Sequence, residues 1–441
     1  MERSFKGGIH PYEGKEITQE KPTKTLQPTG DLVYPVVQHI GAPASPVVAK
    51  GDKVLVGQKI AIANGFISAN VISSVSGTVK AVEPRLMLNG TMVESIVVEN
   101  DNEYTSVEGL GKKRDYAKLS KAEIRNIVKE AGIVGMGGAG FPSHVKLTPK
   151  DDKTIDYVIV NGSECEPYLT SDYRMMLEQP EKLIAGLKIV LTLFENATGI
   201  IAIEDNKPKA IEILKELTAK ENKMEVRVLK TKYPQGSERQ LLYAAVGRKI
   251  NFSKYPVDVG CIVHNVDTMI SIYNAVAETT PLIRRIITVS GDAVKEPGNF
   301  IVPTGMSYTE LIEAAGGFIS KPKKVISGGT MMGQAMYSLE VPVTKTTSAL
   351  IAFLEDEVEQ MATDHCIHCG RCVTVCPCRL TPQKMVQYAN RGDKEGFIKL
   401  HGMECYECGS CTYVCPSGIF LTQSFKQMRR SIMEDRKKEA K

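Results

Sequence analysis

Gly132–Lys146 reads G-I-V-G-M-G-G-A-G-F-P-S-H-V-K, with glycines at 135, 137, 138 and 140. It follows a helical run in which Ile124, Ile127, Val128 and Ala131 share one face. Side chains are missing where a ligand has to touch backbone. Glycine accepts positive φ and close approach, so successive N–H groups can converge on an anion. Phe141 sets a ring beside that cradle and Lys146 a cation within reach of it. On pattern alone this is a phosphate-binding loop, or a glycine-rich turn that holds nothing.

Outward from the loop, residues 115–290 alternate helix-like and strand-like segments. Helices are expected at Leu119–Ala131, Pro180–Phe194 and Lys207–Leu217, and strands at Tyr157–Val160, Gly199–Ile203 and Val226–Leu229. That alternation predicts a mostly parallel α/β sheet. In such sheets ligands sit beyond the carboxyl ends of the strands, where the loop and the segment after Val160 both fall.

Residues 1 to 30 are polar and interrupted by Pro11, Pro22 and Pro28, so they read as extended. Short β-rich runs follow, and A-K-G-D-K-V-L-V-G-Q-K-I-A and S-S-V-S-G-T-V-K-A-V-E resemble the halves of a lipoyl- or biotinyl-type barrel-sandwich. The hairpin between them, A-N-G-F-I-S-A-N-V-I, lacks the lysine of such carriers, which predicts a structural or docking role. Residues 291–350 read as strand, turn, helix and glycine stop, as in a small β-grasp module, with a second tight loop at S-G-G-T-M-M-G.

The chain has 441 residues, 42% hydrophobic and 24% charged, enough for two to four domains at roughly 150 residues each. A net charge of +4, spread along the sequence, argues against a nucleic-acid protein. The N-terminus has no apolar core or cleavage site of a secretory signal. The run Leu183–Phe194 is interrupted by Lys188 and too short to span a bilayer, so membrane contact is expected only through partners.

Nine of the eleven cysteines crowd into Cys366–Cys415. Cys366, Cys369, Cys372 and Cys376-Pro377 repeat as Cys405, Cys408, Cys411 and Cys415-Pro416, each the C-x2-C-x2-C-x3-C-P run that binds a [4Fe–4S] cluster. Zinc knuckles pair C-x2-C at longer spacing. The fourth cysteine of each run serves the other cluster, which assigns Cys366, Cys369, Cys372 and Cys415 to one and Cys405, Cys408, Cys411 and Cys376 to the other. Helical patterns at Thr381–His401 and Phe420–Arg436 predict an α-helical ferredoxin, with Cys378 a bystander and Cys165 and Cys261 buried thiols.

Clusters pass single electrons while NADH delivers a hydride, and a flavin converts one to the other. The glycine loop then becomes a flavin-phosphate candidate. Here the residues resemble a known family. G-x-G-G-A-G-F-P-x-x-x-K at 135–146, V-N-G-S-E-C-E-P at 160–167, Y-P-Q-G-S-E at 233–238 and H-N-V-D-T at 264–268 resemble, in order, the FMN site of the NADH-binding flavoprotein subunit of respiratory complex I. With the front barrel-sandwich, the two-cluster end and G-G-I-H-P at 7–11, the whole order is similar to the C subunits of the Rnf complex, the membrane-bound ion-translocating ferredoxin:NAD oxidoreductase.

That resemblance implies FMN held by Gly135, Gly137, Gly138, Ala139 and Lys146, with Asn161, Ser163, Glu164, Tyr233, Gly236, Glu238, Asn265 and Thr268 completing the pocket. NAD(H) is expected beside Phe141, with Glu166 as an acceptor. No side chain is expected to act as general acid or base. Ser163, Ser237 and His264 replace the family's Asp, Glu and Asn, and Met136 stands where complex I commonly has Arg. The expected divisions are 1–112 barrel-sandwich, 113–290 Rossmann-like FMN/NADH domain, 291–352 β-grasp (SLBB-like) and 353–441 ferredoxin. The implied partners are other Rnf subunits, including an iron–sulfur subunit that accepts electrons from ferredoxin, at the cytoplasmic face of the membrane. The alternatives left open are the NADH-dependent flavoprotein of a soluble hydrogenase or formate dehydrogenase, and a non-catalytic electron conduit.

Overall fold

The computed structural model describes residues 3–439. Its centre is a four-stranded, all-parallel sheet ordered Met224–Leu229, Thr198–Glu204, Tyr157–Gly162, Cys261–Asn265. One face packs on helices α1 (Lys121–Glu130), α4 (Pro180–Leu191), α5 (Pro208–Thr218) and α7 (Val266–Glu278). Ile124, Val128, Val158, Val160, Leu183, Leu187, Ile201, Leu214 and Met269 fill that layer. The other face packs on α6 (Glu238–Val246) through Ile159, Ile200, Leu241 and Leu242. Burial on both faces is why Y-V-I-V shows an unbroken apolar run instead of alternation. The order reverses between Tyr157–Gly162 and Cys261–Asn265, and that switch point is where such sheets open a ligand crevice.

α1 starts where the sequence says it should. Ser120 Oγ accepts from Glu123 N at 3.3 Å, and the Glu123 carboxylate accepts from Ser120 N at 2.7 Å, closing a capping box. Neither α7 nor α3 (Ser171–Glu178) was legible beforehand. Nearly every residue of α7 is buried, so no amphipathic period marks it.

In front, Leu32–Pro35, Met92–Asn100, Gly77–Leu86 and Lys53–Val54 form one antiparallel sheet, and Ser45–Pro46, Lys59–Ile62 and Val71–Ile72 another. Leu32, Tyr34, Ile60, Val79 and Ile96 fill the space between them. The lysine-free hairpin docks. Phe66 O and His144 Nε2 are hydrogen-bonded at 3.0 Å, the two rings meet edge-on at 5.9 Å, and Ile40 N donates to Gly140 O at 3.3 Å. The barrel-sandwich thus abuts the far side of the glycine loop.

Two segments pair with elements outside their expected units. Arg284–Ser290, assigned above to the Rossmann-like domain, is a central strand of the β-grasp sheet, paired with both Gly298–Pro303 and Ala349–Phe353. Residues 3–25 form a strap that leaves the barrel altogether. Ile9 and Tyr233 exchange backbone hydrogen bonds of 2.9 Å, Gly8 N donates to Val375 O at 2.7 Å, and Lys24–Thr25 adds a parallel strand beside Phe300–Ile301. The proline-rich segment reads as extended because its partners are distant strands and loops.

After Ala349–Phe353 the described residues hold helices and no strand: Arg371–Val375, Pro382–Arg391, Lys394–Lys399, Ser410–Tyr413 and Leu421–Glu439. The helical-ferredoxin expectation stands, with Thr381–His401 broken at Gly392 (φ 72°) and restarted by Asp393, whose Oδ1 accepts from Gly396 N at 2.8 Å. No helix among the described residues is long and apolar enough to cross a membrane.

Lys345 joins three units. It is 1% exposed, and its Nζ donates to Asn70 O of the barrel-sandwich at 2.5 Å and to Gly132 O of the glycine loop at 2.7 Å. Two acceptors suit a neutral amine, and burial pushes Lys345 down to about 7. Folding then releases a proton between about pH 7 and the ordinary lysine range, so this residue's contribution to stability rises with pH across that window. Denaturation of wild type and Lys345→Met at pH 7 and pH 9 checks this. The variant should be less stable by about 1–3 kcal/mol at pH 9, the cost of two stranded carbonyls, and the gap should narrow at pH 7.

Candidate functional site

The glycine loop lies across the N-terminus of α7. Asn265 caps that helix, its Oδ1 accepting from Asp267 N at 2.9 Å, and Thr268 Oγ1 accepts from Met136 N at 3.0 Å. Gly137 rests against the Asn265 side chain, while Gly138 and Ala139 are exposed. Positive φ is confined to the ends, at Gly132 and at Gly140 (73°), and a Cβ on Gly140 would strike Thr346 Cγ2 at 2.8 Å. Gly135, Gly137 and Gly138 therefore serve close approach, not left-handed backbone. A thirteen-residue helix aimed at the loop favours an anion through its dipole, although Asn265 Oδ1 takes the Asp267 and Thr268 N–H groups of its first turn.

Cations surround that point. Lys146, on the short helix α2 (Ser143–Lys146), donates to Val263 O at 3.1 Å and lies 3.6 Å from Glu238 Oε1. Arg285, 3% exposed, reaches Met136 instead, donating from Nη1 to its Sδ at 2.8 Å, with its charge paired to Asp267. Nothing in the sequence near the loop points to Arg285, since it arrives from the β-grasp sheet.

The three other motifs emerge at the carboxyl ends of the parallel strands. Asn161 Nδ2 donates to Gly236 O at 2.9 Å, joining V-N-G-S-E-C-E-P to Y-P-Q-G-S-E, and Asn265 Nδ2 donates to Asp172 Oδ2 at 2.6 Å. Burial, with Glu164 and Asp267 nearby, pushes Asp172 up to about 8. Glu164 uses both carboxylate oxygens on the start of α3, accepting from Asp172 N at 2.6 Å and Tyr173 N at 3.3 Å. Both of its oxygens are thus used in capping that helix. Glu166 sits under the β-grasp loop. Its Oε2 accepts from Met331 N at 3.1 Å, a side chain on Gly329 would collide with it, and burial pushes it up to about 7. Only Oε1 remains to offer a nucleotide.

Buried polar atoms with no partner gather here: Ser163 Oγ, Glu166 Oε1, both side-chain atoms of Gln235 and both ring nitrogens of His264. Burial, then Lys146, pushes His264 down to about 3, so its imidazole is neutral. Such orphans are costly in a finished interior and ordinary in a site that a polar ligand completes. Gln235 carries this signal although sequence reading passed over it.

The cluster cysteines fall into two groups. Cys376, Cys405, Cys408 and Cys411 lie close enough that each of the first three bears on the ionisation of Cys411, and Cys366 and Cys369 bear on Cys372. Cys415 is half-buried, two residues past Ser410–Tyr413. Burial pushes Cys405 and Cys411 up to about 12, so deprotonation belongs to iron binding. Cys366 and Cys369 are exposed, whereas Cys408 and Cys376 are buried against the strap. Tyr233 O–H donates to Cys408 O at 2.7 Å, and Arg239 pairs with Glu404 at 3.0 Å, so the loop beyond Met224–Leu229 is bonded to the second cysteine run. Cys378 lies 4.0 Å from Arg239 Nη1, and Cys376, Cys405 and Cys408 bear on its ionisation, so it sits beside the inner group.

Families described as RnfC barrel sandwich hybrid domain, Nuo51 FMN-binding domain, SLBB domain and 4Fe-4S dicluster domain match residues 3–103, 128–274, 286–335 and 360–419. The C subunit of the proton-translocating ferredoxin:NAD(+) oxidoreductase complex of Clostridium ljungdahlii is 45% identical over 87% of this chain and 84% of its own length. The Na(+)-translocating counterpart of Acetobacterium woodii is 42% identical over 99% and 98%. The chain belongs to the Rnf C-subunit family. This C subunit is an oxidoreductase-type component of a multisubunit complex, with an FMN-binding domain and a domain for two [4Fe–4S] clusters. An NAD+-reducing [NiFe]-hydrogenase chain shares its fold alone, with a TM-score of 0.52 and 19% identity over 72% of this chain and 64% of that one.

The buried Arg285–Asp267 pair is a sharp test of how the C subunit holds its glycine loop. Arg285→Met strands Asp267 and should cost about 3–5 kcal/mol in denaturant unfolding. Adding Asp267→Asn should recover part of it, because the stranded charge is then gone.

Proposed function

We propose that this C subunit is the NAD(H)-reacting component of a ferredoxin:NAD(+) oxidoreductase, bound to the cytoplasmic face of the membrane by other subunits of the complex. The observation that carries the reading is the junction of the two redox sites: Tyr233, from a motif of the FMN pocket, bonds to Cys408 of the second cysteine run. FMN, when bound, exchanges a hydride with NAD(H) and passes its electrons singly.

Everything else is positioning. Gly137, Gly138 and Ala139 would hold the flavin phosphate through backbone N–H groups near the α7 N-terminus, with Gly135, whose own N–H donates to Phe141 O at 2.8 Å, allowing close approach, Lys146 supplying positive charge, and Arg285, paired with Asp267, bracing the loop at Met136. Asn161, Ser163, Gln235, Gly236, Glu238, His264, Asn265 and Thr268 form the remainder of the pocket, and Tyr233 closes it toward the cysteines. Phe141 and Glu166 Oε1 meet the nicotinamide nucleotide. Cys376, Cys405, Cys408 and Cys411 hold the inner cluster, and Cys366, Cys369, Cys372 and Cys415 the outer one, whose exposed cysteines face an iron–sulfur partner subunit that trades electrons with ferredoxin. No general acid or base is required, and Ile9, Tyr233 and Met331, packed with Cys408, would keep water from a cluster held there. Ion coupling belongs to the membrane partners.

Anaerobic reconstitution of the full chain with FMN, iron and sulfide tests this. NADH should bleach the bound flavin and drive reduction of a one-electron dye. Lys146→Met should weaken FMN binding about ten- to a hundredfold, the loss of one charge-assisted contact, with the cluster absorption retained. A chain that takes up both clusters but no flavin refutes the assignment.

A further inference from the structure

Lys15 belongs to the strap, and its ammonium finds its acceptors far away in sequence. It is 6% exposed, and its Nζ donates to Glu164 O at 2.9 Å, Glu166 O at 3.0 Å and Leu169 O at 2.5 Å. Three acceptors need three N–H bonds; an ammonium has three and a neutral amine two. Geometry therefore calls for the charged form. Burial and, less strongly, nearby Lys207 pull the lysine's proton affinity down, and the neighbouring Glu164 and Glu204 carboxylates oppose that.

The segment it grips is the turn after Tyr157–Gly162, which bends sharply with two non-glycine residues in left-handed backbone, Glu164 (φ 48°) and Tyr168 (φ 67°). Such residues persist only where their surroundings over-determine them. The surroundings here are unusually complete. Lys207, 2% exposed, donates to Ser163 O at 2.6 Å. Tyr168 N donates to Glu13 O at 2.6 Å, and the Thr18 and Thr170 hydroxyls share a 2.7 Å hydrogen bond. Every strap contact in this set falls on the loop that carries Ser163 and Glu166, whose Oγ and Oε1 are without partners.

We infer that Lys15 is a positioning residue for the flavin pocket: the strap delivers one buried ammonium that clamps the strained 163–169 turn and sets a fixed positive charge beside the bound flavin. This rests on the FMN reading above. The clamp keeps Ser163 Oγ and Glu166 Oε1 aimed at the ligand, so losing it weakens FMN binding. The charge favours the electron-rich form of the flavin, so losing it lowers the flavin midpoint potential.

The test compares full-length, cluster-loaded wild type, Lys15→Met and Lys15→Arg by FMN titration and by anaerobic potentiometry of bound flavin, with EPR of both clusters alongside. Lys15→Met should raise the FMN dissociation constant at least tenfold and shift the flavin potential downward, with both cluster signals retained. Lys15→Arg, which keeps the charge, should return the potential toward wild type even where affinity stays reduced. If the methionine variant does not accumulate, Lys15→Gln, neutral and shorter, takes its place with the same expectation. A neutral variant with wild-type affinity and potential overturns the inference. A downward potential shift equal in the arginine and neutral variants overturns the charge role. Failure of the wild-type chain to bind FMN sinks the FMN reading instead, so the two failures are distinguishable.

Discussion

A hydride acceptor and a one-electron carrier are useful together only if one polypeptide holds them at a fixed separation. In this chain the fixing contact is the hydrogen bond from Tyr233 to the carbonyl of Cys408. Tyr233 is 2% exposed, and its backbone exchanges hydrogen bonds with Ile9, so the strap, the parallel sheet's loop and the second cysteine run meet at one side chain. Met331 of the β-grasp loop and Val414 close the same apolar cluster. Each of the outlying units presses on this junction or on the glycine loop. The barrel-sandwich does so through Phe66 and Ile40, the β-grasp module through Arg285 and Lys345.

Electrostatics explains why so many charges are buried around one crevice. Lys15, Lys207 and Arg285 lie among Glu164, Glu166, Asp172, Glu204 and Asp267, all within or below the carboxyl end of the sheet. Burial pushes Glu166 and Glu204 up to about 7 and Asp172 to about 8, the pattern expected where carboxylates crowd out of water. Perturbed groups of this kind concentrate at functional sites, and here they underlie the four motifs instead of being scattered through the core.

The sequence was most informative where spacing itself is chemistry. The doubled cysteine run, the glycine loop and the alternation of strands and helices each impose a local geometry that a linear pattern can express. Two features escaped because their cause is tertiary. Arg285 and Lys15 act on the pocket from a β-grasp strand and an N-terminal strap, with no local period to announce either. Glu164 was legible as a motif residue but not as a cap, because α3 lacks a recognisable start signal. The strap itself read as a polar leader of the barrel, since single bridges and side-chain clamps leave no alternation to detect.

The central claim is that electrons pass between the flavin and the inner cluster before they reach the outer one. Rapid anaerobic mixing of the full chain with NADH, frozen at intervals and read by low-temperature EPR, tests it directly, with Cys369→Ser identifying the outer signal. The account predicts that the signal from the cluster on Cys376, Cys405, Cys408 and Cys411 develops first in time after rapid freezing, and that Tyr233→Phe slows its appearance. An outer-cluster signal that precedes the inner one, or that forms unchanged when the inner cluster is removed, contradicts it.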